Sequence, residues 1–178
     1  MEFYTLNVAG ITRQLPICKV NDKISFAAFI MFSDVELCIA CAEELSKRVS
    51  EYDVILTGET KGIPIAYELS RQSGKNYVVA RKSVKLYMTD PISVDVKSIS
   101  TAHSQKLILS KEDVERLKGK RVLILDDVIS TGESLHALES LTELAGGKVV
   151  CKAAVLAEGD AADRTDIVFL EKLPLFEN

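Results

Sequence analysis

Residues 122–134 read VLILDDVISTGES. Four apolar residues run into two adjacent carboxylates, Asp126 and Asp127, and then into a hydroxyl-rich loop around one glycine. Adjacent acids ending a buried strand are costly without partners, so their placement points to a ligand. Ser130, Thr131, Gly132, Glu133 and Ser134 lie between that strand and the helix expected after it. Backbone N–H groups at a helix start, together with hydroxyls, form a cradle for an anion, and Gly132 permits close backbone approach. A phosphate monoester fits such a cradle. The acids would repel that phosphate if they faced it. They are better suited to accept hydrogen bonds from sugar hydroxyls, or to hold a metal's water shell. A phosphate beside a diol suggests a ribose 5-phosphate. The plainer alternative is a capped helix after a strand, with Asp126 and Asp127 as loop acids.

Two further clusters carry charge. Glu59-Thr60-Lys61-Gly62 is a second loop before a helix, and Arg81-Lys82 follow the short apolar run Tyr77–Ala80. Together they can hold a second, more highly charged anion, such as a magnesium pyrophosphate. Each is weak evidence alone, because a strand-end Arg-Lys is usually solvated surface. Their convergence on one sheet edge is the argument.

The elements that must position these groups follow from periodicity. Asp53–Thr57, Tyr77–Ala80, Arg121–Leu125, Val149–Leu156 and Ile167–Leu170 read as buried strands. Between them, helices are expected over about 33–50, from Pro64 to Gly74, and through Leu135, Leu138, Leu141 and Leu144 to Gly146-Gly147. Ser33-Asp-Val-Glu36 reads as the capping box of the first helix. Residues 84–109 read as an exposed hairpin or flap, with Ser100–Ser104 as its turn. Strands alternating with helices imply an α/β fold with a parallel sheet, whose ligands gather at the carboxyl ends of the strands.

The 178 residues suit one domain. With 47% hydrophobic residues, 27% charged residues and a net charge of −4, the chain is no basic nucleic-acid binder. The longest apolar run, Phe26–Phe32, is far short of a membrane span, and the first residues lack the pattern of a signal peptide. A cytoplasmic location is expected, with Cys18, Cys38, Cys41 and Cys151 as free thiols. Cys38 and Cys41 form a C-x-x-C, but they share helical spacing with Val35, Leu45 and Val49. That favours buried helix positions over a redox or metal motif.

VLILDDVISTGES resembles the phosphoribosyl pyrophosphate (PRPP) motif of the type I phosphoribosyltransferases. VILTGETKGIPIAYEL resembles the family's pyrophosphate loop and its helix, and YVVARKSVKLYM the Arg-Lys strand of its adenine and xanthine members. The resemblance covers the order of parts from about residue 15 to 157. It implies one domain: a five-stranded, mainly parallel sheet flanked by helices (core about 33–170), a small hood (about 1–32, with a C-terminal contribution) and a flexible flap (about 87–108). It implies that Asp126 and Asp127 bind the ribose hydroxyls and that Ser130 to Ser134 cradle the 5-phosphate. Glu59, Thr60, Lys61, Gly62, Arg81, Lys82 and Lys85 would serve the pyrophosphate. Ile17, Cys18, Lys19, Val20 and Ser25, in the hood, would meet the base. Magnesium would be held mainly through PRPP and water, and family members are usually homodimers. The implied reaction moves ribose 5-phosphate from PRPP to a purine, adenine first and xanthine as the alternative.

There are departures. SISTAHSQ stands where adenine enzymes usually place a glutamate-bearing flap, and looks nearer to the flap of xanthine enzymes. The lysine of the xanthine type is not evident in AVLAEGDAAD. His103 in the flap is read as an exposed loop histidine before an acid–base group, and His136 receives no role. Two other readings compete. One is a PRPP-binding regulator without turnover. The other is a phosphorylation receiver domain, which would place its acids at the end of the first strand, where this chain has Gly58-Glu59. Phe29-Ile-Met-Phe32, and the apolar residues Leu37 and Ile39 outside the expected stripe of the first helix, favour a homodimer.

Overall fold

The computed structural model describes residues 2–96 and 105–177. The chain opens with an antiparallel hairpin, β1 (Phe3–Val8) and β2 (Ile11–Lys19), to which β3 (Ile24–Ala27) adds. The region expected as the hood thus contains a sheet. Next come α1 (Val35–Ser46), β4 (Val54–Gly58), α2 (Ile63–Ser73) and β5 (Tyr77–Ala80). A two-stranded antiparallel hairpin, β6 (Ile92–Val96) and β7 (Gln105–Leu109), occupies the expected flap. Ser100–Ser104 and His103 lie outside the described residues. A short helix, α3 (Lys111–Leu117), was not expected from the sequence. It is followed by β8 (Arg121–Ile129), α4 (Glu133–Leu144), β9 (Lys148–Glu158), a 3-10 turn at Gly159–Asp163, β10 (Val168–Leu173) and β11 (Leu175–Glu177).

Five strands form a parallel sheet in the order β10-β9-β8-β4-β5. β11 leaves that sheet and pairs with β3, so the two chain ends share one four-stranded sheet. Alternation along β8 assigns its side chains to two layers. Leu123 and Leu125 pack with Leu37, Cys41 and Leu45 of α1 and Ile65 and Leu69 of α2. Val122 and Ile124 pack with Leu135, Leu138 and Leu141 of α4. Both faces of the strand are thus buried, which explains its unbroken apolar run. The connection after β4 runs outward to β5, whereas the one after β8 runs the other way, to β9. The sheet's switch point therefore lies between β4 and β8, where open α/β sheets form a crevice. No helix among the described residues is long and apolar enough to cross a membrane.

The start of α1 differs from the sequence reading. Ser33 sits at φ 65°, outside the helix, and Asp34 is the cap, accepting from the Leu37 N–H at 3.2 Å. Arg13 of β2 reaches across with two nitrogens to Asp34 (2.8 and 3.0 Å) and one to Glu36 (2.7 Å). The expected box partner, Glu36, is spent on this ion pair, which ties the terminal sheet to the core. Cys38 and Cys41 lie on the buried face of α1, where burial pushes their thiols up to about 11 and about 12.

Replacing Asp34 with Ala is expected to lower the urea-unfolding free energy by about 1 kcal/mol through loss of the cap. Arg13 holds the Asp34 carboxyl below its ordinary 3.8. A depressed carboxyl contributes stability above its unfolded pKa and loses it as pH falls through the folded one. The difference between wild type and variant should therefore close as the pH is taken below 3.8.

Candidate active site

The crevice at the switch point is built from the two loops that leave β4 and β8. The first is Gly58–Gly62. Gly62 is pressed against β8: a Cβ there would clash with Thr57 Oγ1 and lie 2.8 Å from Asp126 Oδ1. A residue with only hydrogen lets the loop close onto the neighbouring strand. Glu59 accepts from the Lys82 N–H at 2.9 Å and from Arg81 Nε at 3.1 Å, and these contacts, the Lys82 N–H first, hold its carboxyl below its ordinary value. Arg81 also donates to the Tyr87 hydroxyl at 2.8 Å. In this conformation Arg81 joins the ends of β4 and β5 rather than lining the crevice. Lys85 turns to Ser83 Oγ, at 2.6 Å. Thr60, Lys61 and Lys82 do line the crevice, a cleft of about 330 Å³ closed on its far side by Val96, Gln105 and Leu107 of the hairpin.

Asp126 and Asp127 line the same cleft. The sequence placed them after the strand, but β8 continues to Ile129, so both are strand residues. The reason is packing: Ile129 is buried, and β8 pairs with β9 as far as Ile129↔Ala157. The Asp127 N–H donates to Asp126 Oδ1 at 2.8 Å. The Asp127 carboxylate is 3% exposed, and its Oδ2 has no hydrogen bond among the described residues. Lys61 Nζ lies 3.6 Å from that oxygen, an ion pair too long for a hydrogen bond. Desolvation and the neighbouring Asp127 charge push Asp126 well above its ordinary 3.8.

The second loop, Ser130–Gly132, turns into α4. Gly132 takes φ 83°, a left-handed conformation that favours glycine. Ser130, Thr131, Gly132 and Ser134 wrap a small cavity of about 110 Å³ with Asp126 and Val128 on its wall, and Glu133 stands outside it. Neither α4 nor α2 has a side-chain cap at its N-terminus. At α4 the leading N–H groups therefore face the crevice without a cap, whereas at α2 the Ile63 N–H donates to the Thr60 carbonyl at 3.2 Å and Pro64 has no N–H.

A third cavity, about 370 Å³, adjoins these on the side of the terminal sheet. Its walls are Phe26 to Ile30, Val128 and Leu173, with Lys61, Ser130 and Glu158 as polar members. Ile17, Cys18 and Lys19 on β2, Val20 after it and Ser25 on β3 do not line it. The sequence reading missed Phe26–Ile30 and Glu158 as wall residues. The signal was the apolar run at 26–32, read against the length of a membrane span and, through Phe29–Phe32, as a dimer face.

Because the Asp126 pKa is raised on folding, its charge opposes folding as pH rises. Asp126→Asn is therefore expected to be more stable than wild type at neutral pH. The gain should vanish as pH approaches 3.8, where the wild-type carboxyl is protonated. Urea titrations at several pH values read this directly.

Comparison with known proteins agrees with this geometry. A family model described as the phosphoribosyl transferase domain matches residues 33–172. A hypoxanthine/guanine phosphoribosyltransferase of Methanococcus voltae is 36% identical over 132 residues, 71% of this chain and 67% of that one. An adenine phosphoribosyltransferase of Bifidobacterium animalis is 35% identical over 105 residues, 59% of this chain and 52% of that one. The chain thus spans about half to two thirds of the length of these curated relatives. The crystal structure of adenine phosphoribosyltransferase from Thermoanaerobacter pseudethanolicus superposes with a TM-score of 0.74 at 24% identity, covering 89% of this chain and 95% of that one, and so shares the fold. With well over half of its residues matched, and with the two loops of the crevice inside the match, the chain belongs to the phosphoribosyl transferase domain family.

Proposed function

We propose that the protein is a purine phosphoribosyltransferase that transfers ribose 5-phosphate from PRPP to adenine, releasing pyrophosphate. The observation that carries this reading is the adjacency of three cavities around β8: an anion cradle, a cleft holding two acids, and an apolar slot. These match, in order, a 5-phosphate, a ribose diol with its pyrophosphate, and a flat base.

In this reading the 5-phosphate sits on the N–H groups of Ser130–Ser134. Asp126 and Asp127 accept from the ribose hydroxyls, and Thr60, Lys61, Gly62 and Lys82 meet the pyrophosphate. Lys61 is half exposed and paired only loosely with Asp127, so it is free to swing to that anion. A lone pair of the base nitrogen forms the bond to C1. The bond from C1 to the pyrophosphate oxygen breaks, and its electrons leave with the pyrophosphate. The proton on the base nitrogen passes to solvent. Positive charge develops on the sugar beside two carboxylates that repel each other, and that charge relieves their repulsion. Arg81 and Glu59 act by holding the loop, and Lys85 by way of Ser83 stands farther out.

The residues fit a magnesium ion. Asp127 Oδ2 is buried and without a hydrogen bond, and the two acids supply hard oxygen donors. When bound, magnesium would offset the charge of the departing pyrophosphate.

In this reading Glu158 is the polar group that meets the base edge. It is the carboxylate in the wall of the apolar slot, and a carboxylate accepts from the exocyclic amine of adenine. We further propose a homodimer, supported by the exposed apolar side chains Ile30, Phe32, Val35, Ile39 and Tyr67; Leu37, Phe29 and Met31, expected on the same face, pack instead in the core. A cytoplasmic setting is supported by four unbridged cysteines.

Pyrophosphate release is measured with PRPP and magnesium, given adenine, guanine, hypoxanthine, xanthine or orotate in turn. Turnover is expected with adenine, reduced about a hundredfold or more in Asp126→Asn/Asp127→Asn. Turnover with an oxopurine alone would overturn adenine in favour of the xanthine or hypoxanthine/guanine type. Saturable PRPP binding with no turnover would make the protein a regulator. On the same assay, Glu158→Gln is expected to lower kcat/KM for adenine about tenfold. An unchanged value would remove Glu158 from base recognition.

A further inference from the structure

The phosphate loop has a neighbour that sequence reasoning did not single out. A Cβ on Gly132 would lie 2.7 Å from Arg164 Nη1, so this guanidinium rests against the loop. Arg164 follows the 3-10 turn after β9. Its Nε and Nη2 donate to Asp166 Oδ1 and Oδ2 at 2.9 and 2.7 Å, a two-pronged grip that fixes the plane of the group. That grip leaves Nη1 as the nitrogen facing the loop. Asp166 is itself held by Lys152 of β9 at 2.7 Å, and Lys152 by Glu139 of α4 at 2.9 Å. Lys152 is only 18% exposed, which favours a fixed arrangement over a solvated surface pair. The charges alternate outward from the loop: Arg164 positive, Asp166 negative, Lys152 positive, Glu139 negative. The chain of groups presents its cationic end to the start of α4, where the leading N–H groups already favour an anion.

We infer that Arg164 is a positioning residue for the phosphate loop, anchored by Asp166 so that it props Gly132 and sets a fixed positive charge behind the sugar 5-phosphate. Gly132 then has two reasons to lack a side chain: its left-handed backbone and the space Arg164 takes. This inference rests on the proposed function, because it names the occupant of the cradle.

Calorimetric titration with ribose 5-phosphate and, separately, with pyrophosphate tests it. Arg164→Ala is expected to weaken ribose 5-phosphate about tenfold and to leave pyrophosphate nearly unchanged. The salt dependence of ribose 5-phosphate binding should flatten. In turnover, KM for PRPP should rise with a smaller change in kcat. Arg164→Lys should restore part of the affinity, since it keeps the charge and loses the fork. Equal weakening of both ligands would reduce Arg164 to a general structural tie and overturn the inference. So would an Arg164→Ala protein with wild-type ribose 5-phosphate affinity and salt dependence. If Arg164→Ala does not fold, Arg164→Lys and Asp166→Asn decide on the same ligand contrast. A wild type that binds neither ribose 5-phosphate nor PRPP overturns the underlying reading, and the inference with it.

Discussion

Two carboxylates held side by side in a parallel strand constrain what can be built around them. Asp126 and Asp127 repel each other, and the cleft floor denies them most of the water that would screen that repulsion. Their surroundings answer the charge. The Asp127 N–H turns to Asp126, Lys61 approaches Asp127 from the neighbouring loop, and Gly62 brings its backbone close enough that no side chain fits. None of these contacts fully satisfies the pair, since Asp127 Oδ2 keeps no hydrogen bond among the described residues. An apolar pair would suit two strand positions between helix layers better. Retaining the acids costs the free protein stability, a trade common at functional sites.

The switch point explains why this pair and two helix starts occupy one place. Because the connections after β4 and β8 diverge, their loops are pushed apart at the top of the sheet and leave a crevice between them. α2 and α4 begin at its two rims, on opposite sides of the sheet, and neither spends its leading N–H groups on a side-chain cap. Topology supplies the space, and the start of α4 supplies the backbone donors. The side chains then differ by rim. The β4 loop carries Lys61 and gains Lys82 from β5, and the β8 loop carries hydroxyls. Arg81 sits on neither rim, because Glu59 claims it to tie the two strand ends together.

Much of this was legible in the sequence, for physical reasons. Strands buried on both faces show as apolar runs, and Gly74 and Pro64 mark the ends of α2. What failed depended on contacts distant in sequence. β8 runs past Asp127 because β9 pairs with it there, which no local signal announces. The cap of α1 moved from Ser33 to Asp34 because Arg13, twenty-one residues earlier, claims Asp34 and Glu36. α3 escaped notice because it buries a single residue, Leu117, and so shows no periodicity; its one signal is the Ser110–Asp113 capping box. The residues expected to meet the base were one strand position from the slot. The pairing of β2 with β3, which sets Cys18 opposite Phe26, is not visible in the sequence, and register within a sheet decides which side chains face a cavity.

Val128 is the residue on which the candidate site converges. It lines the anion cradle, the acid cleft and the apolar slot alike. One half-buried apolar side chain therefore separates three chemically different compartments, and each boundary needs that neutrality. A charged residue there would compete with Asp126 for the same polar partners, and a larger one would close the passage from cleft to slot. Under the proposed function, the atom that reacts sits where these compartments meet, since it is bonded to the sugar and approached by the base. The hairpin of β6 and β7 closes the acid cleft from the far side, through Val96 and Leu107, and the terminal sheet supplies the wall of the slot. Both covers are antiparallel sheets distinct from the parallel core, which carries the anion-holding loops and contributes Val128, Glu158 and Leu173 to the wall of the slot. Such a division lets one core serve different bases by exchanging its covers. Under the proposed function, the determinants of base choice would fall in Phe26–Ile30 and Glu158, which line the slot, rather than in the loops of the anion cradle.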